Sequence, residues 1–251
     1  MKRILQLLMV FILLSCSMQE RSSENPFELI AHAGGVVDSC IYTNSREALE
    51  QSFEKGYKYI EFDLLFTSDS VLVAAHSWDN FNKMTGFAHW GDSVPSYNDF
   101  ITRKILGRYT PVSAAEINAF FELHDGLFLV TDKISNPEIL QRNFPRLKER
   151  MVVEAFSFQD YSVLKNDGYF RVLYSCMAQD LNTTLFGSGN QYIESIDWIA
   201  LHTTAFNNPM FKSIKDIKRF NIALFTVDDT SHIPAEYRDV VKMVYTNYIE
   251  P

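Results

Sequence analysis

Five residues have the types and spacing to do chemistry together: His32, Glu61, Asp63, His76 and Asp132. Each stands at or near the carboxyl end of a stretch patterned as a β-strand. FELIAH is a short apolar run stopped by Gly34 and Gly35, and KYIEFDLLF is apolar with its polar residues two apart. Strand side chains alternate, so Tyr59, Glu61 and Asp63 share one face while Ile60, Phe62 and Leu64 share the other. Two carboxylates on one face of an otherwise buried strand are costly to desolvate unless a positive charge sits between them. A hard divalent cation meets that need, with Asp132 at the end of LFLVTD as a third oxygen donor. Such a donor set suits Mg²⁺ or Ca²⁺, and no cysteine–histidine spacing suggests zinc. The plainer alternative is a solvated strand edge or a salt-bridged pair. His32 and His76 titrate near neutrality, which suits a general acid and a general base. A lone histidine at a strand end is more often structural, but two that bracket an E-x-D pair are not lone.

The order of these groups resembles the glycerophosphodiester phosphodiesterase family, of the phosphatidylinositol-specific phospholipase C-like superfamily. The family pattern H-R-G, E-N-T, E-x-D, T-x-D-G and H-D appears as His32-Ala33-Gly34, Thr43-Asn44-Ser45, Glu61-Phe62-Asp63, Thr67-Ser68-Asp69-Ser70 and His76-Ser77. The resemblance implies hydrolysis of a glycerophosphodiester or a related phospholipid-derived phosphodiester. It assigns the cation to Glu61, Asp63 and Asp132, and proton transfer to His32 and His76. Ala33 stands where the family has an arginine for substrate phosphate, and Thr43 where it has a glutamate. Phosphate contact then falls to Lys83 or to the backbone N–H groups of Gly34 and Gly35. The family's lysine lies two residues beyond its third acidic ligand. Here Lys133 is adjacent to Asp132, and a regular strand would send it to the opposite face.

Positioning these groups takes a ring of strands. Beyond the first two, the apolar runs at 127–132, 151–156, 171–176, 197–202, 221–227 and 242–247 alternate with helical stretches centred on 136–149, 158–167, 190–195, 209–219 and 233–239. Eight strands, each apolar enough to be buried on both faces, predict a single (β/α)₈ barrel, an α/β TIM barrel, over residues 27–251. In such a barrel, strand ends converge on one mouth, so Glu154 and His202 are expected to line the pocket. Trp78, Phe225 and Tyr245 are expected to offer an apolar wall. Asn44 is expected to cap the first helix, and 77–109 to lie over the mouth as an insertion.

The start of the chain reads differently. Lys2 and Arg3 precede an apolar run from Ile4 to Leu14, too short to span a bilayer permanently and laid out as a secretion signal. Leu13-Leu14-Ser15-Cys16 resembles a bacterial lipoprotein box, which makes 1–16 a signal peptide, Cys16 the lipidation site and 17–26 a polar tether. The expected location is the bacterial cell envelope, as a periplasmic or outer-membrane lipoprotein held to the membrane by its lipid. Removing the signal takes two of 23 basic residues and none of 31 acidic ones, leaving 21 against 31, a formal charge of −10. A surface that acidic argues against nucleic acid as a partner and for a small phosphodiester recruited locally. Cys40 and Cys176 follow different strands and are expected to be free. Two other readings stay open: a barrel that binds a phosphoester without turning it over, and a glycoside hydrolase using Glu154 with Asp132.

Overall fold

Strands buried on both faces must find parallel neighbours on each side, and a closed ring supplies them without an edge. In a computed structural model, which describes residues 26–176, 193–209, 211 and 217–251, nine strands form. They are β1 (Glu28–Ala31), β2 (Tyr59–Phe66), β3 (Leu72–Ala74), β4 (Phe128–Asp132), β5 (Met151–Ala155), β6 (Arg171–Cys176), β7 (Trp198–His202), β8 (Asn221–Phe225) and β9 (Val241–Thr246). Their order is β1-β9-β8-β7-β6-β5-β4-β2-β3, and a further β1–β2 pairing closes the ring. Every pairing in the ring is parallel; β3 alone runs antiparallel, as a short hairpin arm on β2. This is the (β/α)₈ barrel expected from the apolar runs.

The period of two along each strand decides what points inward. Ile30, Tyr59, Val130, Val152, Leu173, Ala200, Ala223 and Met243, one from each ring strand, pack with Tyr245 into the barrel interior. Burial of each larger aliphatic side chain stabilises the fold by about 1.5–3 kcal/mol, and Leu173→Ala would cost about 2–5 kcal/mol. Two residues further along most strands the inward position turns polar: Asp132 on β4, Glu154 on β5, Ser175 on β6 and His202 on β7. The site is therefore the next layer of the barrel above its apolar plug. Outward residues such as Ile60, Phe62, Leu129, Val153, Ile199 and Leu224 form the second, larger core beneath the helices.

The helices are α1 (Arg46–Glu54), α2 (Trp78–Met84), α3 (Tyr97–Thr102), α4 (Ala114–Leu123), α5 (Pro137–Asn143) and α6 (Phe158–Asn166). Ser113 and Glu116 make a reciprocal capping box that starts α4. The helix expected over 136–149 stops at Asn143, because Phe144 precedes Pro145 and takes φ −131°, ψ 60°; a 3₁₀ turn follows at Lys148–Arg150. Where helices were expected near 190–195, 209–219 and 233–239, the described parts are 3₁₀ turns at Ile193–Ser195, Ile217–Arg219 and Ala235–Tyr237. Most of 209–219 and residues 190–192 lie outside the described residues, as do the signal, Cys16 and most of the tether. No helix among the described residues is long and apolar enough to cross a membrane.

The excursion 77–109 is a satellite with its own core: Phe81 stacks on Phe100 at 4.7 Å, packed with Val73, Ala75, Ile105 and Tyr109. Trp78 turns into that cluster, edge-on to Phe81 and Phe100. Cys40 is a free thiol, while the Cys176 side chain lies outside the described residues.

Candidate active site

After β1 the chain makes a tight left-handed turn. Ala33 has φ 52° and ψ 46°, and its N–H donates to Glu61 Oε2 at 2.6 Å. Gly35 has φ 99°, and a Cβ there would sit 1.9 Å from Ser52 Oγ, so only glycine fits. The Ser52 hydroxyl in turn donates to the Gly34 carbonyl at 2.8 Å, pinning the turn to α1. This geometry presents His32 to the mouth, with its Nδ1 3.2 Å from Thr226 Oγ1.

Asp63 is the most heavily bonded group in the site. Asn44 Nδ2 donates to its Oδ2 at 2.9 Å, and His76 Nδ1 lies 3.1 Å from its Oδ1. Asn44 thus serves the site rather than capping α1. The cap is Ser45, whose hydroxyl accepts from Ala48 N at 3.2 Å, and Glu47 accepts from Thr110 instead of closing a capping box. His76 arrives on the segment after β3, where Ala75 N–H donates to the Asp63 carbonyl at 2.9 Å and ties the hairpin arm back to β2.

Lys133 departs from the sequence reading. Regular alternation would carry it outward, but β4 ends at Asp132 and Lys133 takes φ 69°. That left-handed residue swings the side chain back into the mouth, where Nζ lies 2.8 Å from Asp63 Oδ1 and 3.2 Å from Asp132 Oδ2. Tyr42 was also missed. It too is left-handed, at φ 58°, and its ring sits 4.8 Å from that of His32 and 5.0 Å from that of His76.

A cavity of about 560 Å³ opens on these groups. His32, His76, Glu61, Asp63, Asp132, Glu154 and His202 all line it, so the strand ends expected to converge do converge. Phe225 and Tyr245 line it too. Trp78 does not, and neither does Gly34, which is packed against Phe62 and Ala48. Gly35 N–H is spent on the His32 carbonyl at 2.9 Å. Lys83 lies on the outer surface of α2, paired with Asp79 one turn earlier at 2.6 Å, also outside the cavity. The expectation that Lys83 or the Gly34–Gly35 backbone meets phosphate is therefore corrected; Lys133 is the single lysine or arginine in the lining among the described residues.

The electrostatics follow from crowding acids in a buried space. Burial, then the neighbouring charges of Asp63 and Asp132, push the Glu61 carboxyl well up. Burial also pushes Asp132 up, against the pull of Lys133. For Asp63 burial is outweighed by the hydrogen bond from His76 and the charge of Lys133, which hold it below the usual carboxylate range. Burial lowers His32. Glu154 accepts from the Tyr245 hydroxyl at 2.5 Å and is pushed up to about 8 by burial and then by Asp132. Ligand oxygens of Glu61, Asp63 and Asp132 all lie within 4.8 Å of one another. Three carboxylates face one ammonium there, an excess of negative charge on hard oxygen donors that fits a divalent cation.

The profile of the glycerophosphoryl diester phosphodiesterase family matches residues 33–168, more than half of the chain. The chain belongs to the glycerophosphoryl diester phosphodiesterase family. Members of that family are phosphoric diester hydrolases acting on glycerophosphodiesters, and the acidic cluster stands within the matched region. Solved structures agree on the fold. A glycerophosphodiester phosphodiesterase from Parabacteroides distasonis is 15% identical, with a TM-score of 0.61 over 89% of this chain and 93% of the other. One from Thermotoga maritima is 14% identical, with a TM-score of 0.60 over 89% and 95%. An Oleispira antarctica phosphodiesterase in complex with the product sn-glycerol-3-phosphate is 16% identical, with a TM-score of 0.58 over 88% and 93%. No curated protein matches the chain. Membership in the glycerophosphoryl diester phosphodiesterase family sets the glycoside hydrolase reading aside. It also sharpens two departures from the family motif: Ala33 is wholly buried, and Thr43 is buried with its hydroxyl 3.0 Å from that of Ser45.

Proposed function

We propose that this chain hydrolyses glycerophosphodiesters, or closely related phospholipid-derived phosphodiesters, with a divalent cation, Mg²⁺ or Ca²⁺, held by Glu61, Asp63 and Asp132. The observation that carries the reading is the convergence of two hydrogen-bonded imidazoles and three carboxylates on one cavity. The bound cation would supply charge stabilisation at the phosphoryl oxygens. Everything else is done by side chains of the chain itself.

Thr226 engages Nδ1 of His32 and Asp63 engages Nδ1 of His76, so in each ring Nε2 is the nitrogen left for substrate. Burial disfavours the charged form of His32, and we assign it the base that takes the proton of the attacking water as that oxygen bonds to phosphorus. His76 then gives a proton to the alkoxide as the P–O bond breaks. Phe156, Phe225 and Tyr245 wall the cavity where the alcohol part of the substrate would lie. The sequence from Lys2 to Cys16 supports export and lipid anchoring, which would put this activity in the bacterial cell envelope, on soluble esters released from phospholipids.

The test is turnover of glycerophosphocholine, glycerophosphoethanolamine and glycerophosphoinositol by the full chain. Activity is expected to vanish with chelator, return with Mg²⁺ or Ca²⁺, and be absent in folded His32→Ala and Asp63→Ala proteins. Full rate in chelator, or in either variant, sinks the reading. The buried Ala33 in place of arginine favours one second reading, a barrel that binds the phosphoester without turnover; saturable binding of glycerol 3-phosphate with no hydrolysis of any ester would select it.

A further inference from the structure

Lys133 and a divalent cation would claim the same carboxylates. Its Nζ contacts Asp63 Oδ1 and Asp132 Oδ2, on two of the three carboxylates that cluster at the strand ends. Glu61 has no such contact; its Oε2 is engaged by the Ala33 N–H. Two cations bridging the same pair of carboxylates repel, and the repulsion is strong where water is largely excluded. We propose that Lys133 is the resident counter-ion of the cluster, which an incoming divalent cation must displace from Asp63 and Asp132. The inference rests on the proposed cation site and adds to it a competitor built into the chain.

The geometry makes displacement feasible. The Asp63 side chain is 3% exposed, whereas that of Lys133 is 26% exposed, so the lysine borders the open cavity while its partner is sealed in. Its ammonium rides on a flexible four-carbon stem and needs only rotamer changes to leave. Its backbone is fixed by φ 69° and by the Lys133 N–H bond to Asp132 Oδ1 at 2.6 Å, so the stem pivots from a set point. Once displaced, the ammonium remains in the cavity, where it is the one lysine or arginine of the lining among the described residues. Lys133 would therefore have opposite effects on two measurable quantities. It steadies the cation-free barrel by neutralising buried acid, and it weakens the barrel's hold on the ion.

The experiment compares the full chain with Lys133→Met, which keeps an unbranched side chain on the same left-handed backbone. Thermal unfolding is followed in chelator and across Mg²⁺ and Ca²⁺ titrations, with calorimetric binding of each ion alongside. The variant is expected to melt below the parent in chelator, to show the larger ion-induced rise, and to bind the ion about tenfold tighter or more. Equal or weaker ion binding by Lys133→Met overturns the proposal while leaving the cation site standing. Absence of ion binding by both proteins removes the cation site itself and the proposal with it. Should the variant not fold, acylation of Lys133 in the parent chain, read by mass spectrometry, decides the matter. The amine is expected to react faster with Mg²⁺ or Ca²⁺ than in chelator, and equal rates would overturn the proposal.

Discussion

Asn44 and Asp63 hold each other at two points: the Asn44 amide donates to Oδ2 at 2.9 Å, and the Asp63 backbone N–H donates to Asn44 Oδ1 at 3.1 Å. Both residues are buried, and the pair fixes a carboxylate that would otherwise choose among His76, Lys133 and a cation. Asn44→Ala is expected to destabilise the fold by about 1–3 kcal/mol, because a buried N–H loses its partner. Cation affinity and kcat/KM are expected to fall about 10–100-fold, as when an outer partner of a metal ligand is lost. Chemical denaturation and ion titration on one preparation measure both; a variant weaker in stability but unchanged in ion affinity would reduce Asn44 to a structural role.

The state of His32 sets a limit on pH dependence. Burial depresses its pKa below 6.5, and a bound cation nearby would depress it further, so both influences have one sign. As the base, His32 must be unprotonated, and it stays so until the pH falls past that lowered value. The acid limb of kcat/KM is therefore expected below pH 6.5. A limb centred at or above that pH would take the base role from His32. Thr226→Val should leave the limb in place but lower its plateau, since the ring then loses the hydroxyl beside Nδ1.

Why some of this was legible in the sequence and some was not comes down to periodicity. The parity of Tyr59, Glu61 and Asp63, and of Val130 with Asp132, follows from strand alternation, which the apolar residues between them make visible. Barrel closure then converts parity into convergence. Lys133 and Tyr42 reach the site by left-handed backbone at residues that are neither glycine nor asparagine, and no local pattern announces that. Thr226 arrives from the far end of the chain, brought by the β1–β9 and β8–β9 pairings. The outward placement of Lys83 is legible in the sequence, because Asp79 and Lys83 stand four apart on one helix and pair on its outer face.

Tyr42 packs its ring against both imidazoles, and truncating it tests whether those contacts matter. Alanine and phenylalanine would bear the same left-handed backbone, so a comparison between them isolates the ring. Tyr42→Phe is expected to keep kcat within a few-fold of the parent. Tyr42→Ala is expected to lose about 100-fold in kcat with a smaller change in KM, because both rings then relax from the reacting geometry. Equal kcat in the two variants would show that the ring does not position the histidines.

Glu154 makes the fold sensitive to alkali. Its carboxyl is pushed from 4.5 up to about 8 in the folded chain, so between those values the folded state keeps a proton that the unfolded state has released. Stability from this group is fully present below pH 4.5 and is lost as pH rises towards about 8, at about 1.4 kcal/mol per pH unit. Glu154→Gln carries no titrating proton, and its side-chain oxygen can still accept from Tyr245. In chelator, the variant is expected to gain on the parent by roughly 2–4 kcal/mol between pH 5 and pH 8. Denaturant midpoints at the two pH values read the difference. Parallel curves would mean that the carboxyl is ionised in the folded protein at neutral pH, and that the Tyr245 hydroxyl and Lys133 together are enough to hold that charge.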